Sequence, residues 1–166
     1  DEDITRLSGS CFGITAADEI GYAIAEALTL EIGAEPFRVG EQARTLYHAA
    51  LSHAGNHVVT VLADACEALR AALPGELGGS GPVSDPDGIA ERVIGPLAVA
   101  ALENTLRRGR DALTGPVARG DSALLAEHLA ALAGVDPGLA EVYRANALRT
   151  AHCAHAADDV LTVLAR

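Results

Sequence analysis

The sequence predicts a mainly helical protein that opens with a short strand–helix–strand unit. Three observations lead there. Residues 41–73 contain no proline and one internal glycine, Gly55, within an apolar pattern at helical spacing. Beyond residue 88, breakers and caps (Gly109, Gly115-Pro116, Gly134, Asp136-Pro137) cut the chain into helix-length pieces. Only the first 40 residues carry short apolar runs of strand length on either side of a helical stretch.

In chain order, Ser10-Cys11-Phe12-Gly13-Ile14-Thr15 is a short apolar run ending at a polar residue. Residues 16–32 follow with Ile20, Ala23, Ile24, Ala27 and Leu28 at helical spacing, and Asp18 and Glu19 where the helix dipole favours acids. Gly33 stops that helix, and Pro36-Phe37-Arg38-Val39 is a second strand candidate. Strand, helix and strand at this spacing form a βαβ unit with parallel strands. Two short parallel strands need further partners to make a stable sheet. Residues 1–40 are therefore expected to be the closing strand–helix–strand of a larger, truncated sheet domain, and residues 41–166 an all-α domain. The start at Asp1-Glu2-Asp3, without methionine, fits a piece of a longer protein.

The helix over 41–73 would be about 50 Å long at roughly 1.5 Å per residue. It is apolar around much of its circumference, which predicts a buried central element. Residues 74–88 are dense in glycine and proline and read as a loop. Helix resumes near 88 and reaches Arg108, with Gly95-Pro96 as a kink or join. Asp121 caps a helix over 122–133, Gly134 closes it, and Pro137 opens the last helical stretch, which breaks near Ala154.

Composition narrows the function classes. The 166 residues carry a net charge of −11, which disfavours nucleic acid and anionic membrane surfaces as partners. No lysine is present, which removes the Schiff-base nucleophile and the phosphate-loop cation together. Cys11, Cys66 and Cys153 stand far apart and form neither a disulfide framework nor a zinc motif. With no signal-like segment at the start, a reduced, cytoplasmic protein is expected.

Several constellations carry candidate chemistry. The long helix holds Tyr47, His48, Ser52, His53, Asn56, His57, Thr60 and Asp64. A polar band within an apolar helix is costly unless it is hydrogen-bonded or lines a cavity. It reads either as a site wall with a proton donor, histidine being the side chain whose charge changes near neutral pH, or as groups that satisfy one another between helices. His53 and His57 have metal-pair spacing, and His152, His155 and Asp159 make a second stripe. Without an H-E-x-x-H or E-x-x-H run, no metal is expected. Thr114-Gly115-Pro116-Val117-Ala118-Arg119-Gly120-Asp121 reads as a tight turn opening a helix. It could bind an anion at that helix start with Arg119, or serve as a helix–helix turn capped by Asp121. Asn104 sits among apolar neighbours and, if buried, needs a partner such as Asn56 or a ligand amide. No G-x-S-x-G or G-x-G-x-x-G occurs, and Gly78-Gly79-Ser80-Gly81 lacks the strand-to-helix context of a dinucleotide fingerprint.

Three stretches together resemble a known family: Arg44-Thr45-Leu46-Tyr47-His48-Ala49-Ala50 leading to Asn56, Leu102-Glu103-Asn104, and Leu113 to Asp121. They look like the helical domain of unknown function that follows a Rossmann-like NAD(P)-binding domain in bacterial oxidoreductase-like proteins. That domain is similar to the C-terminal domains of 6-phosphogluconate dehydrogenase, pyrroline-5-carboxylate reductase and ketopantoate reductase. The resemblance spans nearly all of residues 10–155. It implies a helical bundle of that C-terminal type, preceded by a βαβ remnant of the Rossmann-like domain. It implies a homodimer formed through the helices, acting on a small oxo- or imino-acid, with NAD(P) bound mainly by the preceding domain.

On this resemblance Tyr47, His48, His53 and Asn56 line the substrate cleft, with Ser52 among them. Asn104 and the Thr114–Asp121 turn, including Arg119, complete it. Related hydroxyacid-type reductases carry a lysine four positions before the asparagine. Here that position is Ser52, so His48 or His53 would replace the lysine as proton donor, with Asn56 beside it. The alternative is a non-catalytic all-α module for dimerisation or ligand sensing.

Overall fold

A computed structural model of the protein describes residues 7–73 and 88–165. The fold is mainly α with a small parallel βαβ unit at its N-terminal end. The chain divides into two compact units, residues 1–58 and 59–166, with the division falling inside the longest helix. The expected glycine-rich loop over 74–88 lies almost wholly outside the described residues.

In the first unit, β1 (Cys11–Ile14) pairs in parallel with β2 (Glu35–Arg38), with Gly13 opposite Phe37 and Ile14 opposite Arg38. Between them runs α1 (Glu19–Glu31). Asp18 caps it by accepting the Gly21 N–H at 2.7 Å. Gly33 ends it with φ +75°, a backbone that L side chains rarely adopt. Arg38 ties β2 to α1, its guanidinium pairing with both oxygens of Glu19 (2.9 and 2.7 Å) and lying 3.8 Å from the centroid of the Tyr22 ring. The Thr15 hydroxyl donates to the Val39 carbonyl at 2.7 Å, joining the carboxyl ends of the two strands. A single 3₁₀ turn, Glu41–Ala43, leads into α2 (Arg44–Ala72).

The second unit contains α3 (Ile89–Arg108), α4 (Gly115–Arg119), α5 (Ser122–Val135), α6 (Pro137–Ala154) and α7 (Asp158–Leu164). Its core is Val117, Leu125, Leu129, Ala147, Ala151, Val160 and Leu164, contributed by α4 to α7. These positions recur at helical spacing, as core-facing stripes must. Asp121 accepts the Leu124 N–H (3.1 Å) and Asp136 the Gly138 N–H (2.5 Å), so each aspartate occupies the helix start that the sequence assigns it. Arg70 near the end of α2 pairs with Glu91 at the start of α3, both side chains being about one-fifth exposed.

Three expectations need correction. The long helix is not a buried central element: none of its residues is buried, and Leu46 and Val59 are 75% and 67% exposed. Its first half stands largely exposed, and its second half, with Leu62, Ala65, Ala68 and Leu69, is only partly buried. Of the two readings of Gly95-Pro96, a kink or a join, the join does not hold: α3 continues through Pro96. There the helix lacks the hydrogen bond that the missing proline N–H would have made. The Thr114–Asp121 segment is not a bare turn either. It contains α4, closed by Gly120 in the left-handed conformation (φ +78°), and the Asp121 cap of the next helix follows directly.

Candidate functional site

Parallel strands present their carboxyl ends on one side, and in open α/β sheets ligands bind there. In the first unit a cavity of about 740 Å³ lies at that end. Gly13 and Thr15 bring the strand end to it. Glu41, Arg44, Thr45, Tyr47, His48 and Leu51 come from the 3₁₀ turn and the first two turns of α2. Helical geometry explains the grouping: Arg44, Thr45 and His48 are spaced i, i+1 and i+4, so they share one stripe.

Tyr47 is half-buried and seated directly over β1. A Cβ at Gly13 would stand 2.8 Å from Tyr47 Cζ and 2.8 Å from Val39 Cγ2, so a side chain there would force these neighbours to shift. Phe37 packs edge-on to the Tyr47 ring, with centroids 6.0 Å apart. The phenol is thus held by β1 and β2 together, with His48 next to it in the chain. Arg44 Nη1 lies 3.5 Å from Glu41 Oε1, and both side chains are well exposed. Such a pair contributes little to stability, so the guanidinium is available to an incoming anion.

The site residues that the sequence suggests separate into several places. Tyr47 and His48 line this cavity. Ser52, His53 and Asn56 do not. At 100° per residue His53 lies about 140° around the helix from His48, so the two cannot face one pocket. His53 instead pairs with His57, Nδ1 to Nδ1 at 2.6 Å, with the rings edge to face. One ring must donate and the other accept, so each provides the other's partner. Ser52 is half-buried, and Asn56 is exposed on the helix surface.

In the second unit, Asn104 and Thr114 meet at another cavity, of about 610 Å³. Arg108, Arg110 and Arg149 also line it, and the sequence did not single these out. Arg119 and Asp121 line neither cavity. Asp121 fills the start of α5 with its own carboxylate, which displaces the anion-binding reading of that helix end. A third, smaller cavity of about 190 Å³ lies in the same unit and is lined by Asp64, Tyr143 and Asn146 with apolar neighbours. The Tyr143 hydroxyl meets His128 Nδ1 at 2.9 Å, and burial raises the phenol above its ordinary value of 10.0. Among the described residues no three histidine, cysteine, aspartate or glutamate side chains gather as a metal set. No described helix is long and apolar enough to cross a membrane.

The turn after β1 does not fit a dinucleotide pyrophosphate. Thr15-Ala16-Ala17-Asp18 contains no glycine, and the Asp18 carboxylate already takes an N–H at the start of α1, where phosphates would need bare donors.

With the geometry in view, the chain can be compared with known proteins. The profile of a domain family of unknown function, DUF2520, matches residues 10–150. The chain belongs to this family. Its matched region takes in both strands, the tyrosine–histidine pair, and the turn that carries Thr114. No curated protein and no solved structure matches the chain.

Proposed function

We propose that this DUF2520 chain is the substrate-binding and dimerisation part of a cytoplasmic NAD(P)-dependent oxidoreductase acting on a small oxo- or imino-acid. The observation that carries this reading is the cavity at the carboxyl ends of β1 and β2. It combines a cation (Arg44), a phenol (Tyr47) and an imidazole (His48) within one stretch of helix. In the proposal Arg44 holds the substrate carboxylate, exchanging Glu41 for a two-point contact that a planar guanidinium favours. His48 holds the proton that the reduced oxygen or nitrogen takes up, the task that lysine performs in the reductases this chain resembles. Tyr47, fixed by Gly13 and Phe37, sets the position of the substrate between them. The dinucleotide is assigned to a separate Rossmann-like domain, because the β1–α1 turn does not suit it, and no step is derived through it.

Support for a homodimer comes from α3, where Val99, Leu102 and Leu106, spaced i, i+3 and i+7, are 56%, 57% and 79% exposed. An apolar stripe of this kind on a helix is a usual mark of an association surface.

The test is steady-state turnover of oxo- and imino-acids with NADH and NADPH by the intact protein. Arg44→Gln should raise KM, and His48→Gln should lower kcat by about 10²–10⁴-fold, the usual range for a lost general acid. Wild-type rates in both variants of an active enzyme would place the site elsewhere. Ligand binding without turnover in the intact protein would favour the non-catalytic module.

A further inference from the structure

The cavity of the second unit has a chemistry different from that of the first. Arg108, Arg110 and Arg149 line it, and among the described residues no carboxylate does. This is unusual for a chain in which 23 acids outnumber 12 arginines. None of the three arginines has an ion pair or hydrogen bond among the described residues, whereas Arg38, Arg44, Arg70 and Arg107 each meet a glutamate. A role as compensation for the helix dipole covers Arg108, which lies in the last turn of α3. It does not cover Arg149, which reaches the same cavity from α6, a different helix.

The neutral groups around them are also donors in surplus. Asn104 uses its carbonyl oxygen to accept from Arg107 Nη2 at 3.4 Å, which leaves its amide N–H groups to donate. Thr114 stands at the N-cap of α4 without making a cap bond, so its hydroxyl is free. Leu97 and Leu113 supply an apolar wall. A volume of about 610 Å³ falls within the range of small-molecule sites.

We propose that this cavity binds a small organic oxyanion carrying two or more negative charges, a phosphate ester or a polycarboxylate. The charged oxygens would lie among the three guanidinium groups and the Asn104 amide, with the carbon body against the leucines. Three like charges that share a cavity repel one another. A multiply charged anion removes that repulsion and meets the planar donor forks of arginine with two-point contacts. The site is independent of the turnover proposed for the first cavity and is tested without it.

The experiment titrates the full chain with inorganic pyrophosphate and, separately, with citrate at low ionic strength, following the arginine Nε–H resonances by NMR. Saturable shifts at Arg108, Arg110 and Arg149, with none at Arg92 on the same helix α3, are expected. Saturation by pyrophosphate points to a phosphate ester, and by citrate to a polycarboxylate; either supports the site. Arg149→Gln should weaken binding by about tenfold or more, the scale of one charge-assisted hydrogen bond. Because Arg149 is exposed, its loss leaves the core intact, and Arg108→Gln provides an independent second variant. Shifts of equal size at Arg92, no saturation by either anion, or unchanged affinity in both variants would overturn the proposal.

Discussion

Replacing Gly13 with alanine sets two opposed effects against each other. An alanine in an ordinary backbone conformation stabilises by about 0.4–1 kcal/mol, because the unfolded chain has less freedom to lose. Against this, the new Cβ would sit 2.8 Å from both Tyr47 Cζ and Val39 Cγ2, where carbon atoms prefer about 3.5–4.0 Å. The Tyr47 ring can swing away, since it is the far end of a side chain. Val39 cannot easily follow, being buried and stiff at its first torsion. Overpacking of this kind costs about 1–3 kcal/mol, so the clash wins and the net loss is about 0.5–2 kcal/mol. For a chain of this size that corresponds to a fall in Tm of about 1–8 °C. The chain has three tyrosines and no tryptophan, so tyrosine fluorescence during thermal unfolding reads both stability and the environment of the displaced ring. In a Tyr47→Ala background the same substitution should cost less, but not nothing, because the Val39 contact remains. A Gly13→Ala protein that is as stable as the wild type or more so, with unchanged tyrosine emission, would refute the seating of Tyr47 on β1.

Further outcomes follow from the same contacts. Burial raises the Tyr143 phenol above 10.0, so the native state disfavours its ionised form; the stability involved is complete below the unfolded pKa and is lost as pH rises through the folded one. Absorbance titration at alkaline pH should show one late tyrosine, and Tyr143→Phe should remove both that step and part of the alkaline destabilisation. Leu125 is fully buried in the second unit, so Leu125→Ala should cost about 2–5 kcal/mol in urea unfolding. Arg70→Ala strands Glu91, whose Oε2 atom is buried and has no hydrogen-bond partner among the described residues. A loss of about 1–3 kcal/mol is expected, with Glu91→Gln costing less because it removes the charge rather than leaving it alone.

Local chemistry made much of the fold legible in advance. The aspartate caps at 121 and 136, Gly33 as a stop and Pro137 as a start each act within one turn of chain, and each appears where the sequence puts it; Asp18, read as an acid of the first turn, stands one residue before that helix as its cap. The buried central helix failed for the opposite reason. Periodicity shows that a face is apolar but carries no information about what covers it, and α2 has no buried residue. The candidate sites show the same division. Tyr47 and His48 were visible because they are adjacent on one helix. Arg44 lies in the same run, but no local spacing or motif marks it as a site residue. Arg149 lies 35 or more residues from every other polar group of its cavity that the sequence singled out, and only packing could bring it there. His53 was grouped with His48 on a broad polar band, although the helical angle between them separates their directions.

The two cavities differ in what their groups can exchange, and this decides how function can be divided between them. The first places an imidazole and a phenol beside a guanidinium and a glutamate, so it can bind an anion and also move a proton. The second offers guanidinium, amide and hydroxyl groups around a leucine wall. Guanidinium keeps its charge across the whole working pH range, and neutral amides do not act as acids, so these groups hold charge without relaying protons. If the protein performs proton-coupled chemistry with its own side chains, His48→Gln should slow it by about 10²–10⁴-fold. Arg149→Gln should then change anion affinity while leaving the proton-transfer step intact. A variant pair showing the reverse pattern would require the roles of the two cavities to be exchanged.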